Sequence, residues 1–270
     1  MNIINTINSK VEEMINWLLV LTRKILSLDN FNIFDSNVGT LGLIMAPVSA
    51  ALFLIAGIVG GIKTDSFYIF AGSILALITF FIAHWVGREM MPNCDSAVMN
   101  TRLRIRSHTI FKVKAFVSIA IFIGLLIFGS YISIKLSSLI PMLMPVGFAV
   151  LFLFAVWFFL NPTILNITED NELSAGNDAL TLYSLPFVMI LRLHRIVFGV
   201  GLFYGNLAFG ISIYKVINDG ANALLGSGIQ GFAGVIIIFS AAIAPFLMYV
   251  IFVFSYLFID IMRSILRISK

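Results

Sequence analysis

The chain has 270 residues, of which 60% are hydrophobic, 13% aromatic and 11% charged, with a formal net charge of +4. A water-soluble domain carries about a quarter charged residues, so this chain has too few charges to cover a soluble exterior. Apolar runs of roughly 20 residues, the length that crosses a bilayer, recur along it without the period-two alternation of a barrel strand. The composition predicts an all-α fold, a polytopic membrane helix bundle.

Residues 1–40 read as a cytoplasmic amphipathic N-terminal segment preceding a membrane domain over 41–270. Ile4, Ile7, Val11, Met14, Leu18, Leu21, Ile25 and Leu28 follow 3-4 spacing, the seam of a helix. Trp17, Leu19 and Val20 widen the apolar stripe. Such a helix suits the inner leaflet surface, a partner helix, or the protein's own spans. The segment lacks the compact basic and apolar regions of a signal peptide and is expected to stay on the mature protein.

Six transmembrane helices are predicted, at about 41–62, 66–87, 115–136, 139–160, 196–217 and 232–259. Gly57, Gly60 and Gly61 in the first read as close helix packing. The cytoplasmic loop 88–114 ends in "NTRLRIRSHTIFKVK", where Arg102, Arg104 and Arg106 alternate with Leu and Ile, and Lys112 and Lys114 follow. Alone, this suggests a nucleic-acid grip, since phosphate contacts are made by such cations. With Phe111 the one aromatic available for base stacking, a topology determinant contacting anionic lipid head groups fits better. Its alternation exceeds what orientation requires and suggests a docking face, with the acidic 169–178 stretch as a partner. No nucleic acid is expected.

Pro141 and Pro145 mark a tight turn between spans three and four. The cytoplasmic loop 161–195 has an acidic half carrying Glu169, Asp170, Glu172 and Asp178, opposite in sign to loop 88–114. Its carboxylate spacing does not match a helix–loop–helix calcium site. In span five, "GVGLFYGNLAFG" sets Gly201 and Gly205 as a small-x-x-x-small packing pair. Asn206 is placed to hydrogen-bond across that contact, with Tyr204 and Ser212 nearby. Span six adds Ser240, and Pro245 predicts a kink. These residues form a possible intramembrane polar site. Asp260 with Arg263 at i+3 reads as a salt-linked helix end.

With both termini inside, fourteen of the seventeen basic residues fall on the cytoplasmic side, and Lys63, Lys135 and Lys215 fall outside. That asymmetry is the positive-inside signature and predicts an N-in/C-in topology. The single Cys94 excludes an internal disulfide. Cys94 with His108 lacks the further ligands a metal site needs, and no nucleophile elbow, phosphate loop or zinc-protease motif occurs. No catalytic residue, metal or cofactor is expected, and His84 and His194 read as structural. The span centres hold no ionisable residue, which counts against a coupled pump.

The expectation is a non-enzymatic, multi-pass protein of a bacterial inner membrane, acting as a subunit or scaffold of a larger membrane assembly of secretion or conjugation type. The bilayer, its anionic lipid head groups and other membrane proteins are the expected partners. The alternatives are a small-solute channel or transporter near spans five and six, and a membrane-embedded lipid-modifying enzyme.

Overall fold

The computed structural model describes residues 2–107, 109–135, 143–170, 174–219 and 223–268. The described chain is 92% helical, which makes the fold all-α. Eight helices are present among these residues: α1 (Asn2–Ile25), α2 (Leu28–Thr64), α3 (Phe67–Asn100), α4 (Thr109–Lys135), α5 (Leu143–Leu160), α6 (Ala175–Arg192), α7 (His194–Asp219) and α8 (Ala223–Ile268). Two short strands, β1 (Leu103–Ile105) and β2 (Ile167–Glu169), complete the fold. Stretches within α2, α3, α4, α7 and α8 are long and apolar enough to cross a membrane. The apolar part of α5, Phe148–Leu160, is shorter.

Several helices run further than the apolar runs alone suggest. Helix α3 continues through Pro92 to Asn100 and takes up the first half of the 88–114 loop. The reason is a continuous packing stripe: Phe80, Ala83, Gly87, Cys94 and Val98 are buried at helical spacing. Helix α2 likewise starts thirteen residues before the apolar run, at Leu28. Helix α8 is one helix from Ala223 to Ile268 with Pro245 inside it.

The chain folds as two compact units. The first comprises residues 1–32 and 101–185. Here α4 and α5 pack together, and the α1–α2 corner is fastened to the end of α5. Trp157 Nε1 donates to Ser27 O at 2.8 Å and Asn161 Nδ2 donates to Leu26 O at 2.6 Å. Phe31, fully buried, meets the rings of Trp157 and Phe158 edge-on at 5.3 and 5.5 Å. Ser27 O also accepts from Phe31 N at 3.1 Å, so the two side-chain bonds hold the corner where α1 gives way to α2.

The same unit holds the parallel pair β1–β2, with Leu103 opposite Ile167 and Ile105 opposite Glu169. Leu103 and Ile105 are buried while Arg104 between them is exposed, the period-two alternation of a half-buried strand. Asn166, in the left-handed region at φ 54°, ends the short 3-10 turn Pro162–Leu165 and turns the chain into β2.

The second unit comprises residues 33–100 and 186–270. Its core is built from α2, α3, α7 and α8 around Phe53, Phe80, Phe198, Leu202, Phe209 and Ile238. Helices α7 and α8 approach closely where Gly201 faces Ala241 and Gly205 faces Gly234 and Ile238. On α2, Gly39 lies against Arg195 and Gly42 against Phe198. Small residues at these points let helix backbones come together, the packing mode of helices in lipid.

Candidate functional site

The most polar place inside the second unit is an ionic cluster gathered from three regions of the chain. Asp35 comes from α2, Asp95 from α3, and Arg192, His194 and Arg195 from the α6–α7 junction. Helical spacing explains the convergence. Asp35, Val38, Gly42, Ala46, Ser49 and Phe53 recur every three or four residues, so Asp35 lies on the stripe that α2 turns to the core. On α7, Arg195, Phe198 and Leu202 form the facing stripe.

Arg192 Nη1 bridges both carboxylates, at 3.3 Å from Asp35 Oδ2 and 3.4 Å from Asp95 Oδ1. Arg195 pairs with the second oxygen of Asp95. Asp35 is 3% exposed and His194 is fully buried. Two carboxylates therefore meet two guanidinium groups in a setting mostly closed to water, where unpaired charge is expensive.

The cluster retains unused valences. Asp35 Oδ1, His194 Nε2 and Arg195 Nε are buried without a hydrogen-bond partner among the described residues. His194 Nδ1 lies 2.9 Å from Leu191 O. A carbonyl only accepts, so Nδ1 carries the hydrogen. In the neutral ring, Nε2 is then a lone pair facing Asp95 Oδ1 at 3.8 Å.

A second polar contact lies further along the same α2–α7 interface. Asn206, 5% exposed, donates from Nδ2 to Met45 O at 2.9 Å, and Ser49 Oγ donates to Asn206 Oδ1 at 2.7 Å. The Asn206 amide is thus turned to α2, whereas the neighbouring Gly205 faces α8. Consecutive helical residues point about 100° apart, so Asn206 does not hydrogen-bond across the glycine contact beside it. Tyr204 and Ser240 are exposed, and Ser212 is buried beside Gly231. The four polar residues singled out in spans five and six are not brought to one site. Asn206→Leu is expected to cost about 1–2 kcal/mol, because Ser49 can turn to Met45 O while part of the amide's bonding is lost. A double-mutant cycle with Ser49→Ala, followed by thermal unfolding in detergent, measures the coupling.

Gly57 packs against Ser73 on α3, and Gly61 makes ordinary contact with Phe70. In the first unit, Arg104 Nη1 lies 3.3 Å from Asp170 Oδ2, and Asp170 N donates to Ile105 O at 2.9 Å. Arg106 N donates to Asp178 Oδ1 at 3.1 Å. Arg102, Lys112 and Glu169 are exposed, and Lys114 Nζ sits over the Phe159 ring at 5.8 Å. Glu172, His108 and Pro141 lie outside the described residues.

Sequence reasoning missed Asp35 and Asp95. Both stand outside the apolar runs, and their signal was the helical stripe that continues past each run's end. Comparison with protein-family models, with curated proteins and with solved structures finds no match to this chain.

Proposed function

We propose that the chain is a six-span, non-enzymatic subunit or scaffold of a larger membrane assembly in a bacterial inner membrane, with both termini cytoplasmic. The observation that carries this reading is the face left open on α1. Met14, Trp17, Val20, Leu21 and Ile25 are exposed. Leu19 of the same helix is buried, so α1 packs by one side and presents an apolar stripe with the other. A stripe of this size calls for a covering surface, in lipid or on another chain. The paired, charge-balanced cluster fits a framework role, and α5 supplies the sixth span, its 18 residues covering about 27 Å of a bilayer core of about 30 Å.

Extraction in mild detergent followed by native mass measurement tests the proposal. A species heavier than the 29.9 kDa chain, containing other polypeptides, is expected. A photo-reactive amino acid in place of Trp17 is expected to give protein adducts in cells. A strictly monomeric species whose Trp17 adducts are lipid alone overturns it.

A second reading, proton-linked solute movement, is favoured by Asp35 Oδ1 and His194 Nε2, which are buried without a hydrogen-bond partner among the described residues. It requires that His194→Asn abolish a pH-dependent flux while the protein stays folded.

A further inference from the structure

Helices α2 and α3 flank an open groove of about 530 Å³, lined by Leu43, Ala46, Pro47, Ala50, Ala51 and Leu54 on one side and Phe81, His84 and Arg88 on the other. Its volume falls in the range of about 300–1,000 Å³ usual for small-molecule sites. The α2 wall carries small side chains because alanines and a proline recur there at helical spacing. Both helices carry stretches long and apolar enough to cross a bilayer, and Leu43, Leu54 and Phe81 at the groove's margins are exposed. Hydrocarbon chains are therefore the material this groove meets.

The groove has one polar end. Phe81, His84 and Arg88 follow at three- and four-residue spacing, so they share one face of α3. Arg88 is exposed and makes no ion pair among the described residues. The His84 ring is held between Phe80 and Phe198, with centroids 5.8 and 5.4 Å away and the planes nearly parallel. Its Nδ1 is buried and has no hydrogen-bond partner among the described residues. Glu89, the acidic neighbour, follows Arg88 directly and so projects about 100° away from it around the helix. The exposed Arg88 cation at the mouth of an apolar groove complements an amphiphile with an anionic head. An arginine at a helix end serves well here, since its stem lies on apolar surface while its guanidinium reaches the phosphate.

We propose that the α2–α3 groove binds one anionic phospholipid, with an acyl chain along the alanine wall and the phosphate on Arg88 beside His84. This site takes no residue from the basic stretch 102–114, where Arg106 lines a different groove with Ile105, Ile110 and Asp178.

The test uses the full chain in nanodiscs of phosphatidylcholine containing phosphatidylglycerol, with retained lipid counted by native mass measurement. The wild type is expected to retain phosphatidylglycerol in excess of its share. Arg88→Gln should lower that enrichment about tenfold, the effect of losing one charge-assisted hydrogen bond, while Arg88→Lys keeps most of it. Ala51→Trp, which fills the groove from its exposed wall, should remove retained lipid of both kinds. Unfolding in pure phosphatidylcholine serves as the folding control and should be unchanged in Arg88→Gln. No enrichment in the wild type, or an equal enrichment in Arg88→Gln, overturns the proposal. So does enrichment that survives Arg88→Gln and vanishes when Arg102, Arg104 and Arg106 are all changed to Gln, because that places the lipid on the basic stretch.

Discussion

Arg192→Ala is expected to destabilise the second unit by about 3–5 kcal/mol, the range for removing one partner from a buried charge pair. Arg192 is the counter-ion shared by Asp35 and Asp95. Without it, Asp95 keeps Arg195, but Asp35 loses its only ion-pair partner among the described residues and stays buried. The loss should appear as a lower unfolding midpoint in detergent and as poorer yield from the membrane. Adding Asp35→Asn to Arg192→Ala should recover part of the loss, since the stranded charge is then gone, and the pair should be clearly non-additive. Arg104→Ala offers the contrast. Its bond to Asp170 has the same 3.3 Å length but an Arg104 side chain that is 58% exposed, so about 1 kcal/mol or less is expected. Equal effects at the two positions would show that burial does not govern the cluster.

The cluster also shows where sequence reading stops. Composition and run length suffice for an all-α protein with membrane-crossing helices, because bilayer thickness imposes a minimum apolar length. They do not mark where a helix ends once it leaves the apolar layer. Asp35 sits on the core stripe of α2, six residues before the apolar run begins, and Asp95 lies beyond Pro92 in α3. A hydropathy window counts both as loop charges. Only the 3-4 spacing through Val38 and Gly42, or through Gly87, Cys94 and Val98, carries the information that these helices continue inside packed protein. Which cation meets which carboxylate is a long-range matter, separated by about a hundred residues or more, and no local pattern encodes it.

The basic stretch gives the opposite case. Its alternation of arginine with aliphatic residues is a period-two signal embedded in a helical protein, and β1 occupies it, with Leu103 and Ile105 buried and Arg104 exposed. The alternation reads as a docking face in an all-α chain, although a strand's periodicity is local and is present in the sequence. Its partner strand is less legible. Ile167–Glu169 has three residues and no alternation, and its position depends on the left-handed turn at Asn166 and the bond from Asn166 Nδ2 to Thr101 O. The glycines were readable only in part: the Gly201 and Gly205 pair faces α8, while Gly87, which no spacing motif singled out, makes one of the closest approaches.

Gly87→Ala and Gly199→Ala are therefore expected to be among the most damaging small substitutions in the chain. A Cβ at Gly87 would run into the carbonyl oxygen of Ala242, and one at Gly199 into the carbonyl oxygen of Val38. Both obstacles are backbone atoms of a packed helix, so no rotamer change relieves them and the helices must separate. Overpacking a close interface costs about 1–3 kcal/mol, and a rigid backbone obstacle belongs at or above the top of that range. At Gly199 the separation would also pull α7 from α2 along the interface that carries Asp35, Arg195 and Asn206, so the ionic cluster and the amide clamp should loosen together. Gly72→Ala and Gly124→Ala are the controls. Among the described residues nothing lies within 4 Å of the added carbon at either position, and replacing a helical glycine by alanine there should be neutral or stabilising by up to about 1 kcal/mol. Thermal unfolding of the four variants in one detergent decides the matter. If Gly87→Ala and Gly199→Ala unfold with the controls, the helix contacts at Ala242 and Val38 are not close ones.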